Sequence, residues 1–241
     1  MNTLATAQRL LRQLKHDKRT VAMLLAMPTL LMVLLRFVFN NEMAFSKAAP
    51  AMLGVFPFTI MFMITSITTL RERTSGTLER LMTTPLGKLD LLFGYALAFG
   101  VVAVVQVTIA TLVSVWWLGL TLVGPLWILL VITVLDALLG MALGLFVSAF
   151  ARTEFQAMQF MPVFVLPQIL LCGLFVPRES MARLLNWLSD VMPLSYAVDA
   201  LFHVTSSTEF TGTLLRNLVI IAGCALLALM LGAMTLRRRT P

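Results

Sequence analysis

The chain has 241 residues, 59% of them hydrophobic and only 12% charged, with a mean hydropathy of +0.93. Soluble globular domains are about 25% charged, so this composition excludes an ordinary soluble enzyme, a disordered chain and a secreted disulfide scaffold. The net charge of +7 and pI of about 10.3 would point a soluble protein toward nucleic acid; in so apolar a chain they point to cations held on cytoplasmic loops.

Residues 1–20 are the one long basic stretch before the first apolar run. Leu4, Ala7, Leu10, Leu11 and Leu14 recur at helical spacing, with Arg9, Arg12, Lys15 and Arg19 on the other side. That pattern predicts a helix lying on the membrane surface, apolar side down. A basic leader before a cleaved signal has a similar start, but Val21–Phe39 runs for 19 residues, beyond the 7–15 of a signal core. A retained span is the expectation.

At about 20 apolar residues per crossing, six spans fit: Val21–Phe39, Ala51–Leu70, Leu91–Leu118, Pro125–Phe150, Ala157–Val176 and Leu214–Leu236. They leave no room for a nucleotide-hydrolysing domain of roughly 150–200 further residues, so the expectation is one transmembrane domain over 1–241. Thirteen cations fall on the N-terminal side of this alternation: Arg9, Arg12, Lys15, Lys18, Arg19, Arg71, Arg73, Arg80, Lys88, Arg152 and Arg237–Arg239. Four fall on the other side (Lys47, Arg178, Arg183, Arg216), and Arg36 sits within the first span. The bias predicts both termini in the cytoplasm and an even number of spans.

Two connecting segments carry structure of their own. Arg71–Asp90 reads RERTSGTLERLMTTPLGKLD, with Leu70, Thr74, Leu78 and Leu81/Met82 on one helical stripe. Thr83, Thr84 and Pro85 stop the pattern. A short amphipathic helix tethered at both ends by spans acts as a handle, and its carboxylates beside Ser75-Gly76 suit a basic partner surface; a plain solvated loop helix fits the spacing equally well. The segment at 177–213 lies outside and is apolar. Leu184, Leu185, Leu188, Val191 and Met192 surround Trp187, Pro193 interrupts, and Tyr196, Val198, Ala200, Leu201 and Phe202 follow. Two short helices are expected there, dipping into the outer leaflet as a re-entrant hairpin or capping the bundle.

Catalytic motifs are missing. Gly87-Lys88-Leu89 lacks the rest of a phosphate-binding loop, and no G-x-S-x-G or H-E-x-x-H occurs. Cys172 and Cys224 lie in apolar runs without partner ligands, so neither a metal site nor a disulfide is expected. His16 and His203 are predicted on opposite sides of the membrane. Asp136, halfway along the fourth span, would cost ~2.5–3.5 kcal/mol unpaired. It reads either as a proton or cation site or as a partner for Arg36 inside the bundle, and Arg36 could instead snorkel outward. Gly140-x-x-x-Gly144 permits close helix packing, though the motif is common by chance. Gln106, Gln159 and Gln168 line a pathway or bond across helices.

The order of these parts resembles the membrane (permease) subunit of type-2 ATP-binding-cassette exporters, daunorubicin-resistance-like permeases above all. R-E-R-T-S-G-T-L-E-R-L-M-T-T-P-L after the second span and M-P-L-S-Y-A-V-D-A-L before the sixth carry the likeness. The resemblance implies an all-α membrane fold in which residues 1–20 form a connecting helix and Arg71–Met82 a coupling helix. Glu72, Gly76, Thr77, Leu78, Glu79 and Arg80 would meet a separate ATPase subunit. It implies two permease copies, or a pair with a related permease, with two ATPase subunits that hold ATP and Mg; this chain binds no cofactor and catalyses no reaction. The pathway would run between second and fifth spans, lined by Phe56, Phe58, Phe62, Thr65, Phe160, Phe164 and Gln168, with Leu170-Leu171 as an apolar valve. The cargo would be a drug, antibiotic or lipid-like molecule exported across the plasma membrane by alternating access. Rival readings are a proton-coupled transporter centred on Asp136 and a non-transporting assembly subunit.

Overall fold

The computed structural model describes residues 2–75 and 88–235. Among these, the secondary structure is helical: α1 (Asn2–His16), α2 (Lys18–Phe39), α3 (Glu42–Thr74), α4 (Lys88–Trp116), α5 (Leu126–Val147), α6 (Glu154–Leu171), a 3-10 turn (Arg178–Ser180), α7 (Arg183–Val191), α8 (Pro193–Ser206) and α9 (Gly212–Thr235).

Local chemistry sets several boundaries. Asp17 alone separates α1 from α2; its carboxylate accepts from the Thr20 backbone N–H at 3.1 Å and from the Thr20 hydroxyl at 2.6 Å, which caps the new helix. Asn40 adopts a left-handed conformation (φ 43°) and donates its N–H to the Arg36 carbonyl. Asn41 immediately caps α3, accepting from Met43 and Ala44 N–H. This back-to-back stop and start is why α3 begins at Glu42, nine residues ahead of the expected Ala51. At 1.5 Å per residue its 33 residues span about 50 Å, so its end turns stand clear of a ~30 Å hydrocarbon layer.

Five described helices are long and apolar enough to cross a membrane: Thr20–Phe39, Glu42–Thr74, Phe93–Trp116, Leu126–Val147 and Gly212–Thr235. The chain is a multi-pass membrane protein. The expected crossing at Ala157–Val176 corresponds to α6, whose 18 residues include three glutamines and two internal prolines (Pro162, Pro167) and keep it out of that group. Thr153 caps α6 by accepting from Gln156 N–H, and the Gln156 side chain accepts from Arg152 N–H, so the helix starts three residues before the apolar run.

Helix α3 is the hub, packed against α2, α5, α6 and α8, while α5 also holds α4 and α9. The closest seam joins α3 to α5. A Cβ added to Gly140 would lie 2.3 Å from the Phe58 carbonyl oxygen, and one on Gly144 would lie 2.4 Å from that of Phe62. Positions four apart on α3 meet positions four apart on α5 in the same order, so the two helices run parallel and α4 returns between them. The Gly140-x-x-x-Gly144 pair is therefore a functional part of the packing rather than a chance spacing. Three buried hydroxyls turn back on their own helices: Thr65 donates to Met61 O, Ser114 to Ala110 O and Thr133 to Leu129 O.

The two short helices expected in 177–213 are α7 and α8. Pro193 opens α8 at its first turn, where its missing N–H costs nothing. Leu194, Ala197, Val198 and Leu201 of α8 are buried against the bundle, whereas Leu184, Leu185, Trp187 and Val191 of α7 are exposed. All four tryptophans (Trp116, Trp117, Trp127, Trp187) are exposed at this hairpin end, as in the aromatic belt of a membrane interface.

Candidate functional site

At the end of the bundle away from the hairpin, the N-terminal helix is fastened to the end of α3 and the start of α4. Ala7, Leu10 and Leu14 of α1 are buried in one cluster with Leu91, Tyr95, Ala98 and Phe99 of α4. The apolar stripe thus rests on the protein's own α4, not on lipid as expected from its amphipathicity. Gly94 makes the approach possible: a Cβ there would sit 2.6 Å from Thr6 Cβ and 3.1 Å from the Thr3 carbonyl oxygen. On the other side of α1, Arg9 reaches Glu72 at 3.3 Å. The Glu72 side chain is only 5% exposed, against 33% for Arg9. The expected exposed carboxylate at 72 is in fact buried and paired, because α3 runs on helically through Arg71–Thr74 and turns that side chain under α1. One position earlier, Arg71 points the other way and forms a two-pronged pair with Glu154 of α6, at 2.7 and 2.9 Å. A cavity of about 220 Å³ remains between α1, α3 and α4, lined by Gln13, Asp17, Thr68, Glu72 and Ser75 among others. Gly76, Thr77, Leu78, Glu79 and Arg80, the other residues expected to meet an ATPase subunit, lie outside the described residues.

The expected pathway residues separate into two groups. Phe58, Phe62 and Thr65 are wholly buried; Phe58 and Phe62 pack α3 on α5 and Thr65 bonds back to Met61 O, so in this conformation they face the protein interior. Gln168 is buried too: its amide donates to Phe164 O at 2.9 Å and its oxygen accepts from the Leu194 N–H of α8 at 3.4 Å. Phe56 and Phe160 are half-buried and Phe164 is exposed, its ring edge-on to Phe160 at 6.2 Å. Of the expected valve, Leu170 is exposed, while the Leu171 carbonyl accepts from the Ser189 hydroxyl at 2.8 Å and ties α6 to α7.

Asp136 is fully buried, and both its carboxylate oxygens have no hydrogen-bond partner among the described residues. It faces Gly54, where a Cβ would come within 3.3 Å of its Oδ2, beside Leu201 and Val198 of α8. Arg36 is not its partner. That guanidinium lies at the hairpin end, donating to the Leu118 carbonyl at 3.1 Å and pairing with Glu42 at 3.4 Å. The short α2–α3 turn brings Glu42 within reach, which sequence spacing on an isolated span does not reveal.

The hairpin itself is pinned by Arg178, which pairs with both Asp190 and Asp199 and lies over the Tyr196 ring at 5.5 Å. Tyr196 in turn donates to the Asp190 carbonyl at 2.7 Å. Burial pushes the Asp199 carboxyl above its ordinary range, and the Arg178 guanidinium opposes that shift. The hydroxyls of Ser189 and Ser195 stand 3.1 Å apart, closing the α7–α8 corner.

By sequence, most of the chain matches a known family. The model of the ABC-2 type transporter family matches residues 1–205. The chain belongs to that family. It is 29% identical over 150 residues to the probable multidrug ABC transporter permease YbhR of Escherichia coli, covering 62% of this chain and 41% of the relative. To the probable multidrug ABC transporter permease YbhS of the same organism it is 27% identical over 191 residues, 79% of this chain and 51% of the relative. The linearmycin resistance permease protein LnrN of Bacillus subtilis is 24% identical over 155 residues, 62% and 40%. The chain thus spans about half, or less, of the curated relatives it matches.

Proposed function

We propose that this chain is the transmembrane subunit of an ATP-driven exporter that moves a hydrophobic or amphipathic molecule out of the cytoplasm or inner leaflet by alternating access. The observation that carries the reading is the joint at the end away from the hairpin. The Arg9–Glu72 pair and the Thr6–Gly94 contact tie α1, the end of α3 and the beginning of α4 together. The chain leaves this joint at Ser75 and returns at Lys88, so a push on the intervening residues moves two spans and the connecting helix together. ATP closure of two partner ATPase subunits would supply that push through Gly76, Thr77, Leu78, Glu79 and Arg80. Cargo affinity has to differ between the inward- and outward-open states, or the cycle moves nothing.

In this reading α6 is the fifth of six crossings. Its 18 residues rise about 27 Å, from the Arg71–Glu154 pair at one end to the Leu171–Ser189 bond at the other. Both ends of the sequence are then cytoplasmic, in keeping with the thirteen-to-four distribution of cations. Two permease copies form the pore in the plasma membrane. Phe56, Phe160 and Phe164 line it in the present state; Phe58, Phe62, Thr65 and Gln168 join only if α3 parts from α5 and α6 from the hairpin. The relatives named for multidrug and linearmycin resistance support a drug or antibiotic cargo.

The test is a photo-crosslinker placed at Leu78 in chain co-expressed with an ABC ATPase subunit. Crosslinking to that subunit, and loss of cargo-stimulated ATP hydrolysis in Glu79→Lys, are the expected results. Glu72 is unsuited to charge reversal because a lysine there would be buried beside Arg9. Transport that persists with the ATPase deleted would overturn the proposal. It would favour the second reading, a proton-coupled carrier, for which the unpartnered Asp136 is the specific observation; Asp136→Asn would then abolish transport in a normally assembled protein.

A further inference from the structure

The hairpin helix α7 is built inside out with respect to the protein. Its nine residues, Arg183–Val191, put polar and apolar side chains on opposite sides. Ser189 is buried; its hydroxyl donates to the Leu171 carbonyl at 2.8 Å and stands 3.1 Å from that of Ser195. Asn186, one turn earlier on that side, is half-buried, and Asp190 pairs with Arg178. The opposite side carries Leu184 (68% exposed), Trp187 (63%) and Val191 (61%), with Leu185 at its edge. Polar groups thus hold α7 to the protein while its apolar ones point away. A helix this short owes its stability in a protein to burial of an apolar face, so something outside the chain has to cover that face.

The other tryptophans name the cover as lipid. Trp116 and Trp117 lie at the end of α4, Trp127 opens α5 and Trp187 sits on α7, all exposed at the hairpin end. Indole rings settle at headgroup level, so α7 stands at the membrane edge. A belt spread over three helices fits a medium that surrounds the bundle, whereas a second copy of the chain would cover one side of it. The charges of α7 fix its depth. Arg183 in the first turn and Asp190 in the last are both exposed, so neither end of the helix enters hydrocarbon. Its length of about 14 Å is also less than half of a ~30 Å apolar layer. The piece that packs into the bundle is α8, through Leu194, Ala197, Val198 and Leu201.

We propose that α7 is an interfacial helix: it lies along the leaflet on the hairpin side, with Leu184, Trp187 and Val191 in the headgroup–acyl boundary and Ser189 turned to the protein. It does not dip through the leaflet as a re-entrant segment. Arg183 and Asp190 cancel in formal charge, so the contact is with the apolar boundary itself and calls for no anionic lipid. The inference rests on the chain's membrane class and not on ATP coupling, so it stands or falls independently of the exporter reading.

Trp187 is its own reporter. The full-length chain carrying Trp116→Phe, Trp117→Phe and Trp127→Phe keeps it as the one tryptophan of four, and is placed in phosphatidylcholine nanodiscs. Lipid brominated near the headgroup should lower its emission at least roughly twofold, and more than lipid brominated near the chain ends, as for a ring in the boundary. Replacing part of the lipid by phosphatidylglycerol should change nothing. Leu184→Gln with Val191→Gln, which leaves the Arg178 and Ser189 contacts in place, should weaken the quenching. Circular dichroism checks that each variant folds; where the triple variant does not, the difference in quenching between the parent and Trp187→Phe gives the same reading. Stronger quenching from the chain ends, which marks a re-entrant helix, overturns the proposal. So does emission that no brominated lipid quenches, whether α7 is then in water or, by photo-crosslinking at Leu184, against a second copy.

Discussion

Replacing Gly140 or Gly144 by alanine tests the α3–α5 seam, on which the whole bundle depends. The new methyl carbons would lie 2.3 Å from Phe58 O and 2.4 Å from Phe62 O, where ordinary contact begins at 3.4 Å. The helices have to separate by about 1 Å, and since the opposing atoms are backbone, no side-chain rotation relieves the clash. Overpacking costs typically about 1–3 kcal/mol, here toward the upper end, while Gly→Ala in a helix returns about 1 kcal/mol of propensity. Each single variant should therefore lose about 2 kcal/mol, and the double variant less than twice that, because one separation relieves both clashes. Gly223 in α9 is the internal control: a Cβ there meets nothing within 4 Å, so Gly223→Ala should gain up to about 1 kcal/mol. Reversible unfolding by SDS in mixed micelles, followed by circular dichroism, measures all four variants. Gly140→Ala and Gly144→Ala variants as stable as the parent, with Gly223→Ala unchanged, would refute the seam.

Three other outcomes follow from the polar contacts. Arg9→Ala should destabilise by about 1–3 kcal/mol, less than a fully buried pair because Arg9 is partly exposed, and adding Glu72→Leu should recover much of the loss; a double-mutant cycle in the same SDS titration decides it. Glu154→Gln should cost under about 1 kcal/mol, since its pair with Arg71 is exposed and screened, with the residual effect vanishing in high salt. Gly94→Ala should loosen α1 from α4, read as faster proteolysis between residues 2 and 17 with the rest of the bundle intact.

The site was legible in the sequence to different depths. The N-terminal helix and the two-piece hairpin emerged from helical periodicity and from Pro193, which act over a few residues. The direction of the Glu72 side chain did not, because it depends on α3 continuing past the membrane edge and on α1 lying across it. Phe58 and Phe62 read as lining candidates beside Phe56, and one sequence does not tell which side of α3 meets α5.

By itself the sequence determined the membrane class and the uneven spread of its cations, since transfer of a segment into hydrocarbon is a sum over its own residues. Only the tertiary structure decided that Gly140 and Gly144 form a close seam with α3, that Arg9 pairs with Glu72, and that Arg36 serves Glu42 while Asp136 has no hydrogen-bond partner among the described residues. These are pairings between residues up to 82 positions apart, as in Arg36 and Leu118. Inside a bilayer every helix is apolar on most faces, so hydrophobicity does not choose which faces meet; close fit and the pairing of a few polar groups do.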